Sequence, residues 1–225
     1  MKAAVLNSQP GPLEIEELRI DAPGPDEVLL QVKGAGLCHS DLHFMEGIFR
    51  AKVPAVLGHE SAGIVEAVGD QVTYVKPGDH VITCLSVYCG NCENCLSGHL
   101  SICENKGSTN RPASAPPRLF HGDETLQQFL YMSSFAEYML VHEHGVVKIR
   151  EDMPLDRAAL IGCGVTTGIG AVINTAKAEE GSNAIVFGLG GIGLNVIQGL
   201  RLAGANMIVG VDLNNDRKAW GERFG

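Results

Sequence analysis

Runs of basic residues are absent from this chain of 225 residues, and its formal net charge is −9. Nucleic-acid binding depends on clustered Lys and Arg that neutralise phosphates, so this composition argues against a nucleic-acid partner. Long apolar runs are absent too, because the most apolar stretch, residues 184–211, is broken by glycines and carries Arg201. That pattern is typical of buried α/β structure, so no membrane partner is expected.

No secretory signal is visible in the sequence. The apolar stretch after Met1 ends at Leu6 and is followed by polar, proline and acidic residues, which makes it too short for a signal peptide. Seven cysteines in such a chain are better explained by metal binding than by disulfides. We therefore expect a cytoplasmic protein.

The first part of the chain has the pattern of short strands separated by turns. Candidate strands cover residues 28–32, 61–68, 81–83, 135–141 and 145–149. Many short strands at close spacing suggest a compact β-barrel. Residues 107–123, rich in Pro, Ser, Arg and Gly, are predicted to form a surface loop.

The pattern changes after about residue 150, where helical spacing begins. The predicted elements are helices over residues 155–161 and 165–176, a strand over 184–187, a helix over 192–203, a strand over 207–211 and a helix over 214–224. This β-α-β-α order begins a doubly wound nucleotide-binding sheet, of which only part is present. We predict domains at 1–164 and 165–225, the second one truncated.

Four cysteines, Cys89, Cys92, Cys95 and Cys103, lie within a short segment of the first part. Two-residue gaps let a tight turn aim successive sulfurs at one point, and zinc prefers such tetrahedral thiolate sets in structural sites. The alternative is a set of buried or disulfide-bonded cysteines. The spacing favours a zinc whose closed coordination shell leaves no position for a substrate.

A second set of soft ligands is scattered through the chain at Cys38, His59 and Cys163. Two cysteines and one histidine could bind zinc and leave a fourth position open, as catalytic zinc sites do. These residues lie far apart in sequence, and a lone cysteine between glycines is more often a small buried residue. Spacing alone leaves both interpretations open.

A glycine-rich loop follows the predicted strand 184–187 and begins the next helix. Its candidate cofactor-binding residues are Gly188, Gly190, Gly191, Ile192 and Gly193. Such glycines allow a pyrophosphate to approach a helix N-terminus closely. Asp212 ends the following strand, where a carboxylate would bind both ribose hydroxyls of NAD and repel the 2′-phosphate of NADP. The alternative for Asp212 is a helix N-cap, a position that Asn214 also fits.

Five motifs in register carry a resemblance to a known family. They are Cys38-His39-Ser40-Asp41, Gly58-His59-Glu60, the four cysteines, the segment 162–168 and the glycine loop 188–193. In this order and spacing the chain resembles the zinc-dependent alcohol dehydrogenases of the medium-chain dehydrogenase/reductase family. The resemblance implies an α/β plus β fold, with a GroES-like β-barrel catalytic domain followed by the start of a Rossmann doubly wound sheet.

The resemblance also implies a function and a role for each matching residue. The reaction would be oxidation of an alcohol to an aldehyde or ketone, and the reverse, by hydride transfer to NAD. Cys38, His59 and Cys163 would bind a catalytic zinc, in addition to the structural one. Glu60 would approach that metal, and Asp41 would orient His59 through its free ring nitrogen.

Further residues would handle the proton and the cofactor. By resemblance Ser40 would accept the alcohol proton and His43 would pass it to solvent through the cofactor ribose, although an ordinary surface histidine is the alternative for His43. Thr167 would lie against the nicotinamide, and His39 and Arg217 near the pyrophosphate and adenosine. A long segment after Cys103 resembles the dimeric branch, so the full-length form is expected to be a homodimer.

Two other functions stay open. One is a glutathione-dependent formaldehyde dehydrogenase, which shares the motifs. The other is a non-catalytic zinc-binding fragment made by a truncated gene. Because much of the cofactor domain is missing, we predict little or no dehydrogenase activity for this chain and activity for a full-length parent.

Overall fold

The computed structural model describes all 225 residues and divides them into two compact units, Met1–Gly162 and Cys163–Gly225. The division lies close to residue 164, where the sequence pattern placed the end of the first domain. The first unit consists mainly of strands and the second alternates strands with helices. This β-rich unit followed by the start of a parallel sheet is the predicted fold class.

The first unit contains twelve short strands. They are β1 (Lys2–Leu6), β2 (Leu13–Glu17), β3 (Arg19–Ile20), β4 (Glu27–Gly36), β5 (Ala55–Val56), β6 (Glu60–Val68), β7 (His80–Thr83), β8 (Leu119–His121), β9 (Glu124–Thr125), β10 (Gln127–Gln128), β11 (Tyr138–His142) and β12 (Val146–Lys148). They form three sheets with the orders β10-β5-β1-β2, β11-β4-β6-β7-β12 and β3-β8-β9. All strand pairs in this unit are antiparallel except β10 with β5.

The five-stranded sheet encloses the largest core cluster. Val28 and Leu30 of β4, Val65 of β6, Val81 of β7 and Met139 of β11 all contribute to it, and all are buried. Alternate residues of a strand point to one face, which is why Val28 and Leu30 enter the core together. Burial of each such side chain contributes about 1.5–3 kcal/mol relative to exposure. The sheet thus fixes the strand ends that carry the site residues.

Short helices join these strands. They are α1 (His39–Met45), α2 (Glu93–Leu96) and α3 (Leu155–Ala158), with single 3₁₀ turns at Leu100–Ile102, Lys106–Thr109, Glu143–Gly145 and Ala159–Gly162. The predicted helix 155–161 therefore changes to 3₁₀ geometry after α3. Ala158 and Ala159 are buried against Ala62 and Ile82, and the tighter turn places this segment on the sheet.

Two predictions in the first unit were wrong in part. The strand predicted over 135–141 begins only at Tyr138, because Ser133 has a left-handed backbone (φ 66°) and the Phe135 N–H donates to Leu57 O instead (3.0 Å). The predicted loop 107–123 contains β8, since Leu119 is buried in a second core cluster.

The second unit is built on two parallel strands, β13 (Asn183–Phe187) and β14 (Met207–Val211), paired in register from Asn183–Met207 to Phe187–Val211. Its helices are α4 (Gly164–Gly170), which continues as a π-helix over Ala171–Ala176, α5 (Gly191–Leu202) and α6 (Arg217–Phe224). The last helix begins three residues later than expected. Asn214 Oδ1 accepts a hydrogen bond from the Asp216 N–H (2.9 Å), which holds a turn where the first helical residues were predicted.

Helices α4 and α5 pack closely at Gly168. A Cβ added to Gly168 would lie 2.4 Å from the Cβ of Asn195 and 2.8 Å from the carbonyl oxygen of Ile192. Only glycine fits at this contact without a shift of one helix.

No single helix in the structure is long and apolar enough to cross a membrane. The consecutive segments Leu155–Gly162 and Gly164–Ala176 reach that length and composition only when taken together.

Candidate metal centres and cofactor loop

The four predicted cysteines meet in one lobe of the first unit, residues 89–103. The sulfurs of Cys89, Cys92, Cys95 and Cys103 all lie within 4.8 Å of one another, and none of them forms a disulfide. Backbone N–H groups point at these sulfurs, among them that of Cys89 at Cys103 Sγ (3.3 Å) and that of Cys92 at Cys89 Sγ (3.4 Å). A set of four sulfurs supported by backbone donors matches the donor set that zinc prefers in structural sites.

Protonation differs sharply within this lobe. The backbone N–H groups of Cys95 and Glu104 lower the pKa of Cys92 to about 6, because they stabilise its thiolate. Burial, followed by the hydrogen bond with Cys92, raises the pKa of Cys95 to about 12. The two sulfurs are 3.4 Å apart. Two thiols this close cannot both ionise easily without a cation between them.

A second cluster of ligand atoms forms where α1 begins and β6 starts. Cys38 directly precedes α1, and His59 and Glu60 enter β6; one ligand atom from each lies within 4.8 Å of the others. His59 and Glu60 are buried and Cys38 is half-buried. Cys163, the third predicted ligand, is the first residue of the second unit and directly precedes α4.

Asp41 lies behind this cluster and contacts it through three hydrogen bonds. Its Oδ1 is 3.2 Å from His59 Nδ1 and accepts the Gly58 N–H (3.2 Å), and its Oδ2 accepts the Cys38 N–H (3.3 Å). The carboxylate is only 3% exposed. One buried side chain therefore holds the backbone next to both candidate ligands and leaves Nε2 as the unengaged nitrogen of His59.

The other predicted residues of α1 lie on its accessible side. Ser40 and His43 are one helical turn apart and half-buried, and His39 is exposed. The His43 ring meets the His39 ring at 4.8 Å between centroids and the Phe49 ring at 5.2 Å, both edge to face. The His43 imidazole therefore packs against two neighbouring rings.

The glycine loop of the second unit has the geometry that its sequence pattern predicts. Gly188 has a left-handed backbone (φ 89°), and a Cβ on Gly193 would lie 1.7 Å from Gly188 O, so both positions require glycine. A Cβ on Gly190 or Gly191 would meet nothing within 4 Å, which leaves open space before the N-terminus of α5. Ile192 is part-exposed in the first turn of that helix.

Asp212 closes this loop from the end of β14. Its Oδ2 accepts the Leu189 N–H (2.6 Å) and its Oδ1 accepts the Asn214 N–H (2.8 Å). These bonds, that of Asn214 first, lower the pKa of Asp212. The N-cap of α6 is Asp216, so the alternative of Asp212 as a helix cap is wrong. Thr167 is exposed in α4, and Arg217 is the exposed first residue of α6.

Two residues with no recognisable motif also organise the first unit. Glu27, the buried first residue of β4, accepts hydrogen bonds from Arg111 and Arg118 of the loop that follows the lobe. Gln9 contacts one backbone group in the last turn of α1 and two in the segment that follows it. Their partners lie 35 to 91 residues away, so no local pattern could have identified them.

Comparison with known proteins gives a family match within the first unit and relatives that align over the whole chain. The sequence profile of the alcohol dehydrogenase GroES-like domain matches residues 24–151. The chain is 49% identical over 229 residues to an alcohol dehydrogenase class-3 of Cereibacter sphaeroides and 48% identical over 233 residues to an S-(hydroxymethyl)glutathione dehydrogenase of Paracoccus denitrificans. In both cases all of this chain aligns with 61% of the relative.

Solved structures show the same relation. An alcohol dehydrogenase zinc-binding domain protein from Burkholderia ambifaria superposes with a TM-score of 0.93 at 39% identity, over 100% of this chain and 62% of that one. A benzyl alcohol dehydrogenase from Acinetobacter calcoaceticus gives 0.90 at 34% identity, over 100% and 61%. The chain therefore belongs to the alcohol dehydrogenase GroES-like domain family, among the zinc alcohol dehydrogenases of the medium-chain dehydrogenase/reductase class.

Proposed function

We propose that the chain supplies the catalytic domain and the beginning of the NAD domain of a zinc-dependent alcohol dehydrogenase. The observation that carries this proposal is the cluster of Cys38, His59 and Glu60 with Asp41 behind it, separate from the four-cysteine lobe. A structural protein would need the lobe alone. A second, mixed set of thiol, imidazole and carboxylate is typical of a catalytic metal site.

Each residue of the cluster around Cys38 and His59 has a task in this proposal. Cys38 and His59, with Cys163 as the family resemblance implies, would hold a zinc ion that polarises the alcohol oxygen and favours loss of its proton. Asp41 would fix the ring of His59 with Nε2 directed at the metal. Glu60 would stabilise the site during ligand exchange.

The proton would leave through α1. Ser40 Oγ would accept it, and the His43 imidazole, one turn further along the helix, would transfer it to solvent through the cofactor ribose. An imidazole can take up and release a proton near neutral pH, which suits a relay. The contacts of the His39 and Phe49 rings with His43 support a fixed orientation.

The cofactor in this proposal is NAD, which accepts the hydride. The open space at Gly190 and Gly191 would admit the pyrophosphate to the N-terminus of α5. Asp212 would accept bonds from the ribose hydroxyls, and its negative charge would disfavour a 2′-phosphate. Thr167 would contact the nicotinamide, with His39 and Arg217 near the pyrophosphate and adenosine. The four-cysteine lobe would bind a second, structural zinc.

A second candidate substrate comes from the relatives. Several proteins that are 43–48% identical to this chain are named S-(hydroxymethyl)glutathione dehydrogenase. A glutathione-dependent formaldehyde dehydrogenase would use the same zinc and NAD chemistry, with a binding region for the glutathione part.

Homodimer formation by a longer form and a cytoplasmic location stay predictions.

The test is NADH formation with primary alcohols, secondary alcohols and S-(hydroxymethyl)glutathione. It compares this chain with a version that continues to the length of its relatives. We expect turnover by the longer protein, its loss in His59→Ala, and its retention in Cys84→Ser, which changes a cysteine outside both clusters. Absence of NADH formation by the longer protein with every substrate would contradict the proposal.

A further inference from the structure

Gln9 uses its whole side-chain amide on one distant segment. Its Nε2 donates to Phe44 O (2.5 Å) and Phe49 O (2.6 Å), and its Oε1 accepts the Ala51 N–H (2.9 Å). A glutamine amide has two donor hydrogens and one carbonyl, and all three functions are engaged here. Phe44 and Ala51 flank residues 46–50, which we term the α1 exit loop, and Phe49 lies within it.

The α1 exit loop has little support from side-chain burial. Its large apolar residues Ile48 and Phe49 are exposed by 61% and 48%, so burial contributes little to their placement. The loop turns back on α1, because the N–H groups of Ile48 (2.9 Å) and Phe49 (3.3 Å) both point at His43 O. The N–H groups of Glu46 and Gly47 also donate to carbonyls of α1, and the Phe49 ring lies 5.5 Å from the Phe44 ring. One further bond, from the Gly11 N–H to Met45 O (3.0 Å), ties the N-terminal segment to the end of α1.

Phe49 connects this loop to the candidate proton relay. Its ring meets the His43 ring edge to face, with 5.2 Å between centroids, while Gln9 holds its carbonyl group. The other ring against His43 is that of His39, on the same helix. Phe49 is therefore a side-chain contact through which the N-terminal segment can affect the orientation of the imidazole.

We propose that Gln9 is a positioning residue for His43. By holding the backbone of Phe44, Phe49 and Ala51 it keeps the Phe49 ring against the imidazole, which fixes the imidazole on the side of α1 that carries Ser40. The proposal rests on the proposed relay only for its catalytic consequence. The contacts among Gln9, Phe49 and His43 stand without it.

The test is NMR spectroscopy of the 225-residue chain with the His43 ring signals assigned. Phe49→Leu removes the aromatic ring directly and sets the reference shift of the His43 ring protons. We expect Gln9→Ala to move these signals in the same direction, and the double variant to match Phe49→Leu alone. Amide exchange at Ile48 and Phe49 should accelerate roughly tenfold, since the hydrogen bonds that hold the loop are lost.

Two further variants keep the test decisive. Gln9→Glu has nearly the same shape and keeps the acceptor for the Ala51 N–H but loses both donors, so it should reproduce the shift even if Gln9→Ala folds poorly. Gln71→Ala changes an exposed glutamine and should leave the His43 signals in place.

Two results would overturn the proposal. One is unchanged His43 signals in both Gln9 variants, and the other is a Gln9→Ala shift that persists in full when Phe49 is already leucine. Neither measurement depends on turnover. A shifted His43 signal together with an inactive longer protein would reject the proposed relay and leave the positioning contact intact.

Discussion

Asp212 is hydrogen-bonded to the glycine loop without a cofactor, because its Oδ2 accepts the Leu189 N–H at 2.6 Å. A hydrogen bond to a carboxylate is stronger than one between neutral groups. We expect Asp212→Ala to speed amide exchange at Leu189 roughly tenfold in the cofactor-free chain, as measured by hydrogen exchange.

Asn214→Ala is the matched control for that measurement, since it keeps the backbone N–H that donates to Asp212 and removes only the side chain. The pKa of Asp212 is lowered by its bonds, so the protection of Leu189 should be complete above the ordinary value of 3.8 and decline as pH falls through the folded value. Equal rates of amide exchange at Leu189 in Asp212→Ala and the parent chain would show that Asp212 does not stabilise the loop.

Individual residues show how far sequence reasoning reaches. The role of Asp41 was implied by the family resemblance of its motif, and its carboxylate lies 3.2 Å from His59 Nδ1. The roles of Gln9 and Glu27 could not be predicted, because each acts on backbone or side chains that are distant in sequence. A motif is visible in a single sequence because its residues lie close together in the chain. A contact between residues that are distant in sequence leaves no local pattern.

At the scale of elements, Glu27 joins β4 to the loop that follows the lobe. Burial alone would raise the pKa of Glu27, but the hydrogen bond from Arg111 and the charge of Arg118 outweigh it and hold the pKa below its ordinary value of 4.5. Glu27→Gln leaves two arginines facing a neutral partner, so we expect a loss of roughly 3 kcal/mol in the free energy of unfolding at neutral pH.

The pH dependence of this loss identifies its cause. A lowered pKa stabilises the fold fully above the ordinary value and loses that effect as pH falls through the folded one. Urea unfolding should therefore show the gap between parent and Glu27→Gln narrowing below about pH 4.5. Glu66→Gln, an exposed residue of β6, should show no such gap. A gap of constant size at every pH would argue for altered packing.

Element boundaries were the least predictable feature of the first unit. The apolar pattern over 135–141 indicated one strand, yet pairing begins at Tyr138 after left-handed residues at Leu130, Tyr131 and Ser133. No glycine marks these three positions, so nothing local indicated the turn. By contrast, β14 was predicted with its exact bounds, because its apolar run ends at a turn signalled by Asp212 and Asn214.

For the whole molecule, the two ligand clusters predict two zinc ions, and each ion should depend on its own set of ligands. We expect Cys103→Ser to lower the zinc content of the purified chain from two ions to one and to reduce its thermal stability, because structural zinc contributes directly to folding. Metal analysis with circular dichroism measures both. Cys84→Ser is the control, and an unchanged zinc content in Cys103→Ser would contradict the four-sulfur site.

The broad organisation was accessible from the sequence because the two units have different periodicities. Short alternating strands fill the first unit, and a strand, glycine loop and helix begin the second. Turn chemistry and the side-chain period specify such units locally. The arrangement of the three sheets in the first unit depends on pairings between distant strands, which a single sequence does not reveal.

The contact at Gly168 has a mechanical consequence. Helices α4 and α5 meet so closely that one added carbon would collide with Asn195, and Asn195 Nδ2 in turn donates to Gly191 O (2.8 Å). Tightly packed interiors transmit displacement because they cannot be compressed. We therefore expect a displacement of Thr167, next to Gly168 in α4, to be passed on to the first turn of α5, and the reverse.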